Sequence, residues 1–277
     1  MKDGDASLID EKELIHTLKV DISMYNSDGI IYPSAYQKLT MNMIEEHLDM
    51  LNMGQKALMA DQGVSWVLLY NCIEFVRKIT PEDKLTARTW HSECKAPIFR
   101  RDFAFYGENG EKTAVGATLS TLFDYKIRRV CTDLKSYSRI ALPEGIKLLD
   151  IERRFVPPKE TEIADRCLAR PSMTDGIGHV NNTRYSDFVY DAMTRDERAR
   201  LSDLCRMDSW FFSELRAGDE FEIRRSPEKE NTSVWLGIKA GDIKPCFAVR
   251  FRYKNQEKDN ETVGPTTECE GIDNENQ

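Results

Sequence analysis

An internal repeat constrains the fold more than any other feature of the chain. The segment SDGIIYPSAY precedes one helical stretch, and TDGIGHVNNTRY precedes another, so that Asp28-Gly29-Ile30 is matched by Asp175-Gly176-Ile177. Each helical stretch is followed by a strand pattern rich in Trp or Phe, a short turn and more alternating strands. A strand–helix–strands unit that occurs twice predicts an α+β protein of two similar lobes, each a long helix wrapped by an antiparallel sheet.

Apolar periodicity places the elements within each lobe. One helix is predicted after Pro33 and Ser34 and stops before Gly54, and a second begins after Asn182. Ser34 and Asn182 are the predicted caps, because their side chains can accept hydrogen bonds from the free amides of a first turn. Strands are predicted where apolar residues alternate, over residues 18–24, 115–123 and 247–253.

The lobes are predicted over residues 1–142 and 161–254, with a linker over 143–160 that contains three prolines. From residue 255 to residue 277 the chain carries seven acids and one lysine and almost no large apolar residues. Such a composition cannot bury a core, so we expect a disordered acidic tail.

Charge and composition exclude several classes of protein. A net charge of -8 disfavours nucleic acid as the main partner. No apolar run approaches the roughly 20 residues of a membrane span, and the polar, acidic N-terminus lacks a signal-peptide pattern, so we expect a cytoplasmic protein. The seven cysteines are scattered singly and there are only four histidines, which disfavours a structural zinc site or a disulfide framework.

Five segments together resemble the acyl-acyl carrier protein (acyl-ACP) thioesterases: GVSWVLLYNCIEFVRKITPEDKLTARTW, RRDFAFYGENGEK, TLFDYKIRR, DGIGHVNNTRYSDFVYDAM and SELRAGDEFEI. The resemblance extends from about residue 14 to residue 254. It implies a double hot-dog fold with two tandem hot-dog domains. It also implies hydrolysis of a fatty acyl thioester on acyl carrier protein to a free fatty acid, without a metal or an organic cofactor.

Carried over residue by residue, the resemblance implies that Asp175, His179 and Glu214 are catalytic. The chain departs from the family at two positions. Ile177 stands where the family usually has Asn, so one polar partner of the reacting group is missing. Leu215 stands where some members have a Cys, so no thiolate is available directly after the glutamate.

Thioester hydrolysis needs a base that activates water and donors that stabilise the oxyanion. A carboxylate can be that base, and we expect Asp175 in this role with Glu214 as the second carboxylate, although the sequence does not decide between them. His179 can orient a carboxylate or donate to the thioester carbonyl. Oxyanion or positioning donors are expected where the second helix starts, at Asn181, Asn182 and Thr183.

When the two Asp-Gly-Ile segments are aligned, Tyr32 and Pro33 of the first lobe take the positions of His179 and Val180. The first lobe therefore lacks the catalytic residues. By analogy with the family we expect it to supply the acyl pocket. The candidate lining residues are Met43, Met50, Trp66 and Leu68. None of the four is distinguished by sequence from an ordinary core residue.

Acyl carrier protein is acidic, so a thioesterase should offer it a basic surface. The candidates for this surface are Arg100, Arg101, Arg128 and Arg129. The three other histidines are expected to take no part in the chemistry. His47 is expected on a solvated helix face, and no role is expected for His16 or His91.

Other functions stay open at the level of sequence. A thioesterase acting on acyl-CoA would hydrolyse CoA esters without a carrier protein, a non-catalytic acyl-binding protein would bind without hydrolysis, and a hot-dog dehydratase would act on 3-hydroxyacyl substrates. The acyl chain length is also open. Two fused lobes can satisfy the pairing that single hot-dog units obtain by dimerising, so either a monomer or a homodimer is compatible with the chain.

Overall fold

The computed structural model describes residues 9–10, 13–95, 97–132 and 145–255, which form one large antiparallel sheet with helices packed on it. The helices are α1 (Pro33–Met50), α2 (Gln55–Gln62), α3 (Arg184–Ala192) and α4 (Arg195–Arg200). The strands are β1 (Ile9–Asp10), β2 (Glu13–Leu18), β3 (Val64–Phe75), β4 (Leu85–Lys95), β5 (Ile98–Tyr106), β6 (Lys112–Asp124), β7 (Arg129–Val130), β8 (Glu162–Leu168), β9 (Leu204–Phe211), β10 (Glu220–Arg225), β11 (Thr232–Lys239) and β12 (Phe247–Tyr253).

The strand order reveals two copies of one unit. It is β1-β2-β4-β5-β6-β3-β9-β12-β11-β10-β8, with β7 paired to β6. Read outward from the centre, β3-β6-β5-β4-β2 in one half corresponds to β9-β12-β11-β10-β8 in the other. The halves join where β3 pairs with β9, from Tyr70 opposite Trp210 to Glu74 opposite Arg206. The expected α+β double hot-dog fold is confirmed.

The two longest central helices hold the lobes together on one face of the sheet. α1 and α3 contact each other, and residues of both helices belong to one shared hydrophobic core. Within that core Gln37 bridges the lobes, because its Nε2 donates to Ser209 Oγ at 3.0 Å and its Oε1 accepts from Ser186 Oγ at 2.7 Å. All three polar side chains are buried, so this network fixes how the lobes face each other.

The structure shifts the alignment of the internal repeat. The bridge between Tyr25 and Ile31 in the first lobe corresponds to the bridge between Thr174 and Val180 in the second. Asn26, not Asp28, is therefore the counterpart of Asp175. The alignment by identical letters was wrong by two residues, since hydrogen bonding within the turn, rather than the letters, decides which positions are equivalent.

Both predicted helices are present, but the predicted start of the first differs. Tyr32 is the N-cap of α1 and makes no side-chain cap bond, while Ser34 is buried in the first turn. The strand predicted over 18–24 was also wrong: β2 ends at Leu18, and Ile22–Met24 form a 3-10 turn in which Asp21 accepts from an amide. The alternation at 115–123 and 247–253 lies in β6 and β12, as predicted.

The segment before β8 crosses the sheet on the face opposite α1 and α3. Glu93 binds Lys147 at 2.7 Å and also contacts Arg153, and Trp210 Nε1 donates to the Glu152 carbonyl at 3.1 Å.

The predicted boundaries at 142, 160 and 254 stay predictions. Residues 133–144 and 256–277, which include the first boundary and nearly all of the acidic tail, lie outside the described residues. Among the described helices, none combines the length and the apolar character needed to cross a membrane.

Candidate active site

A cavity of about 440 Å³ brings the three predicted catalytic residues together. Asp175, His179 and Glu214 all line it, and they belong to the second lobe. The wall from the first lobe includes Trp66, near the start of β3, and Tyr125, in the turn directly after β6. A substrate in this cavity would touch both lobes, with the candidate chemical groups on one side.

Asp175 closes the turn before α3. Its Oδ1 accepts from the amides of Ile177 at 3.0 Å and His179 at 3.3 Å. Asn26 makes the same turn in the first lobe, where its Oδ1 accepts two amides at 2.9 Å. Only one oxygen of Asp175 is therefore needed for the turn, and an amide suffices for it. What the second lobe adds at this position is a negative charge facing the cavity.

His179 and Glu214 form an ion-pair contact across the turn. The distance from His179 Nε2 to Glu214 Oε2 is 2.9 Å, and the Arg216 guanidinium lies 3.3 Å from each of these atoms. Their backbones are held together because His179 pairs with Arg216 in an isolated bridge. The imidazole is 11% exposed and the glutamate side chain 43%, so the carboxylate lies at the solvent side of the pair.

The three candidate positioning residues at the start of α3 make different contacts. Asn181 Oδ1 accepts from the Thr183 amide at 3.0 Å and from its hydroxyl at 2.8 Å. Asn182 was wrong as the predicted cap: Thr183 is the N-cap of α3, and Asn181 accepts its amide just before the helix. Within the described part of the chain Asn182 makes no hydrogen bond, and it lines the cavity. It is the residue here whose donors are available to a substrate.

Sequence reasoning missed Tyr125 as a site residue. Its ring centroid lies 6.2 Å from that of His179. Burial raises the pKa of the Tyr125 phenol, and the charges of Glu214 and Asp175 raise it further. The group is therefore a neutral hydrogen-bond donor at pH 7. The segment TLFDYKIRR supplies Tyr125, yet nothing in its local pattern indicates that it reaches the other lobe.

The candidate acyl-pocket residues divide into two pairs. Trp66 and Leu68 line the cavity, and both also line a second cavity of about 80 Å³ that extends from it into the first lobe. Met43 is buried in the shared core and Met50 packs against that core, so neither lines these two cavities. The apolar walls of the larger cavity include Phe211 from the second lobe as well.

The four candidate arginines for a carrier-protein surface also divide. Arg100 and Arg101 are buried, and their expected place at the surface was wrong. Successive residues of a strand point to opposite faces, and in this sheet both faces are covered at β5. Arg128 and Arg129 are exposed, and Arg128 lies at the edge of the cavity. The part of the chain that the structure describes holds no group of three or more His, Cys, Asp or Glu side chains suited to a metal ion.

Residues 13–139 match the family model "Acyl-ACP thioesterase N-terminal domain". The first half of the chain is an acyl-ACP thioesterase N-terminal domain. The match agrees, over residues 13–139, with the family that the sequence segments resemble. Curated protein sequences give no significant match to the chain.

Solved structures extend the likeness to both lobes. An acyl-ACP thioesterase from Bacteroides thetaiotaomicron is 18% identical with a TM-score of 0.77, covering 89% of this chain and 100% of its own. The 12:0-ACP thioesterase from Umbellularia californica is 15% identical with a TM-score of 0.74, covering 87% of this chain and 97% of its own. At these identities the likeness establishes the fold, and the family rests on the model match.

Proposed function

We propose that this protein hydrolyses fatty acyl-ACP to a free fatty acid and holo-acyl carrier protein in the cytoplasm. The observation that carries the proposal is the cavity between the lobes. It joins two carboxylates and an imidazole to an apolar wall, in a chain whose first half matches the acyl-ACP thioesterase domain. A thioester carbonyl placed among these groups would have its acyl chain against Trp66 and Leu68.

The proposed chemistry uses water and carboxylates. Water attacks the thioester carbonyl carbon while a carboxylate takes its proton, and Asp175 is the first candidate because one of its oxygens is not needed for the turn. Glu214 orients His179 through their 2.9 Å contact. When the carbon–sulfur bond breaks, the carboxylic acid formed at Asp175 returns its proton to the departing sulfur, which restores the carboxylate.

Donors for the oxyanion come from both lobes in this proposal. Asn182 has an unused carboxamide, and the Tyr125 hydroxyl stays protonated at neutral pH. Losing one such donor typically lowers the rate about 10²–10³-fold. Ile177, which lines the same cavity, has no polar group to offer, so these two side chains would compensate for the missing asparagine.

The carrier protein is proposed to approach at the edge of the cavity where Arg128 and Arg129 are exposed. Acyl carrier protein is acidic, so exposed guanidinium groups would speed its approach in a salt-dependent way. Replacing both arginines by Glu should raise KM for acyl-ACP while leaving kcat nearly unchanged. We expect this enzyme to work as a monomer or a homodimer.

The deciding test offers purified protein acyl-ACP and acyl-CoA of the same chain lengths and measures free thiol and fatty acid. The proposal expects hydrolysis of acyl-ACP with the larger kcat/KM. Equal or better hydrolysis of acyl-CoA would make the protein an acyl-CoA thioesterase. Acyl binding without hydrolysis of either substrate would make it a binding protein, consistent with Ile177 in the place of the family asparagine.

A further inference from the structure

Three arginines are buried among the described residues, and one of them lacks a counterion there. Arg100 pairs with Asp102 through bonds of 2.7 and 2.8 Å, and Arg206 pairs with Asp208 at 3.0 Å. Arg101 is 3% exposed, and in the described chain no carboxylate forms an ion pair with it. Since a buried ion without a partner is unfavourable, this position calls for an explanation.

Neutral groups surround the Arg101 guanidinium. It binds His47 Nδ1 at 2.8 Å, Thr89 Oγ1 at 3.3 Å and His91 Nε2 at 2.6 Å. Burial, followed by the charge of Arg101, holds the pKa of His91 well below its usual range. Burial also lowers the pKa of Arg101 to about 9, which leaves it protonated at pH 7. The neighbours therefore satisfy hydrogen bonds without neutralising the charge.

Arg101 and His91 line the cavity of about 80 Å³. Its other walls combine apolar side chains from α1, β3 and β5 with polar ones, among them Thr118 and Ser120 of β6. Four residues line both this cavity and the larger one that holds the candidate catalytic groups: Gln55, Trp66, Leu68 and Asn182. An acyl chain that extends from the site past these residues meets a positive charge, not an apolar floor.

One carboxylate does line the small cavity, but it is bound elsewhere. Glu45 Oε1 accepts from the Gln55 amide at 3.1 Å, and burial raises the pKa of Glu45. It forms no ion pair with Arg101 within the described residues, and a raised pKa makes its charge less available. Glu45 thus closes the start of α2 and does not serve as the counterion of Arg101.

We propose that Arg101 and His91 form a distal anion subsite, which accepts an acyl chain ending in a carboxylate. This inference rests on the proposed function and names its substrate class: thioesters of dicarboxylic acids, linked to the carrier through one end. The carboxylate would pair with the guanidinium and offset the cost of burying it. A methyl end of the same length would leave the cation unpaired and place an apolar group against it.

The test compares acyl-ACP substrates of equal chain length that end in a methyl, a hydroxyl or a carboxylate, across several lengths. One hydrogen bond to a charged group corresponds to about a 10- to 100-fold preference. We therefore expect kcat/KM to favour the carboxylate end by about that factor at the best length. Arg101→Met, which keeps most of the buried stem, should abolish the preference and improve the methyl-ended substrate. Leu48→Met changes the shape of the same cavity and should alter both substrates alike.

A second measurement separates this inference from the proposed function. Free dicarboxylic acids should raise the Tm of the wild-type protein more than monocarboxylic acids of equal length, and Arg101→Met should lose that difference. This holds even if no acyl-ACP is hydrolysed, in which case the proposed function fails alone. Equal or better use of the methyl end at every length, with no extra Tm gain from diacids, would overturn the subsite. A preference for the hydroxyl end alone would overturn its assignment to anions.

Discussion

Replacing Asp175 by Asn separates the charge at this position from its role in the turn. The first lobe already contains the comparison, because Asn26 makes the equivalent turn with two amide bonds of 2.9 Å. In Asp175→Asn the carboxamide oxygen can keep the bonds to Ile177 and His179. The free energy of unfolding should therefore change by less than about 0.5 kcal/mol. The variant loses the carboxylate charge alone.

If Asp175 is the base, the rate should fall strongly while the fold stays intact. Losing a positioned general base typically costs about 10²–10⁴-fold, and each factor of ten corresponds to about 1.4 kcal/mol in the barrier. The assay follows release of fatty acid and of the carrier thiol under saturating acyl-ACP, with urea unfolding on the same preparation. Asn26→Asp is the matched control, because it adds a carboxylate to the equivalent turn at a residue that lines neither cavity, and it should leave kcat unchanged.

Two results would contradict this reasoning. A rate within twofold of wild type would show that Asp175 serves the turn only, and Glu214→Gln should then carry the large loss instead. A fall in rate that accompanies a large fall in stability would show that the amide cannot replace the carboxylate in this turn, despite the example of Asn26.

Three further outcomes are expected. Restoring the family asparagine with Ile177→Asn should raise kcat about tenfold or more if its amide reaches the oxyanion, and an unchanged kcat would argue against a lost contact there. The hydrogen bond from Lys147 is the main cause that lowers the pKa of Glu93 from its usual 4.5 to about 2. Glu93 therefore stabilises the fold above about pH 4.5, and this contribution is lost as the pH falls toward 2. Glu93→Gln should flatten the dependence of the free energy of unfolding on pH over that range in urea, and an unchanged slope would contradict the reasoning. Asp208→Asn should destabilise the protein by about 3–5 kcal/mol in urea unfolding, because Arg206 and Arg250 would both lose the fully buried carboxylate that they share. A loss below about 1 kcal/mol would show that this carboxylate is not coupled to the arginines.

Local patterns predicted the elements that depend on local forces. Periodicity located α1, α3, β6 and β12, because an apolar stripe must face a core whichever neighbour supplies it. Capping was less predictable. Ser34 is a residue type that can cap a helix, yet α1 begins at Pro33 and Ser34 is buried within its first turn. The N-cap is therefore Tyr32, which makes no side-chain cap bond.

Side-chain environment was the hardest property to predict, because it depends on what packs over each residue. His47 stands beside two glutamates in sequence and was expected in solvent, but it is 1% exposed and binds Arg101. The dipeptide Arg100-Arg101 itself held a usable signal, since two adjacent strand residues cannot both belong to one surface. The same reasoning predicts that at least one of the two arginine side chains points into the protein.

The sequence by itself determined the two-lobe architecture and the family segments, and it supplied the candidate residues for the chemistry, because repeats, periodicity and residue type can be read along the chain. The tertiary structure alone decided that Tyr125 of one lobe lies beside His179 of the other, that Asn26 is the counterpart of Asp175, and that Arg101 lines the smaller cavity. These relations join residues far apart in sequence. They follow from sheet pairing between β3 and β9 and from packing between α1 and α3, which no local pattern encodes.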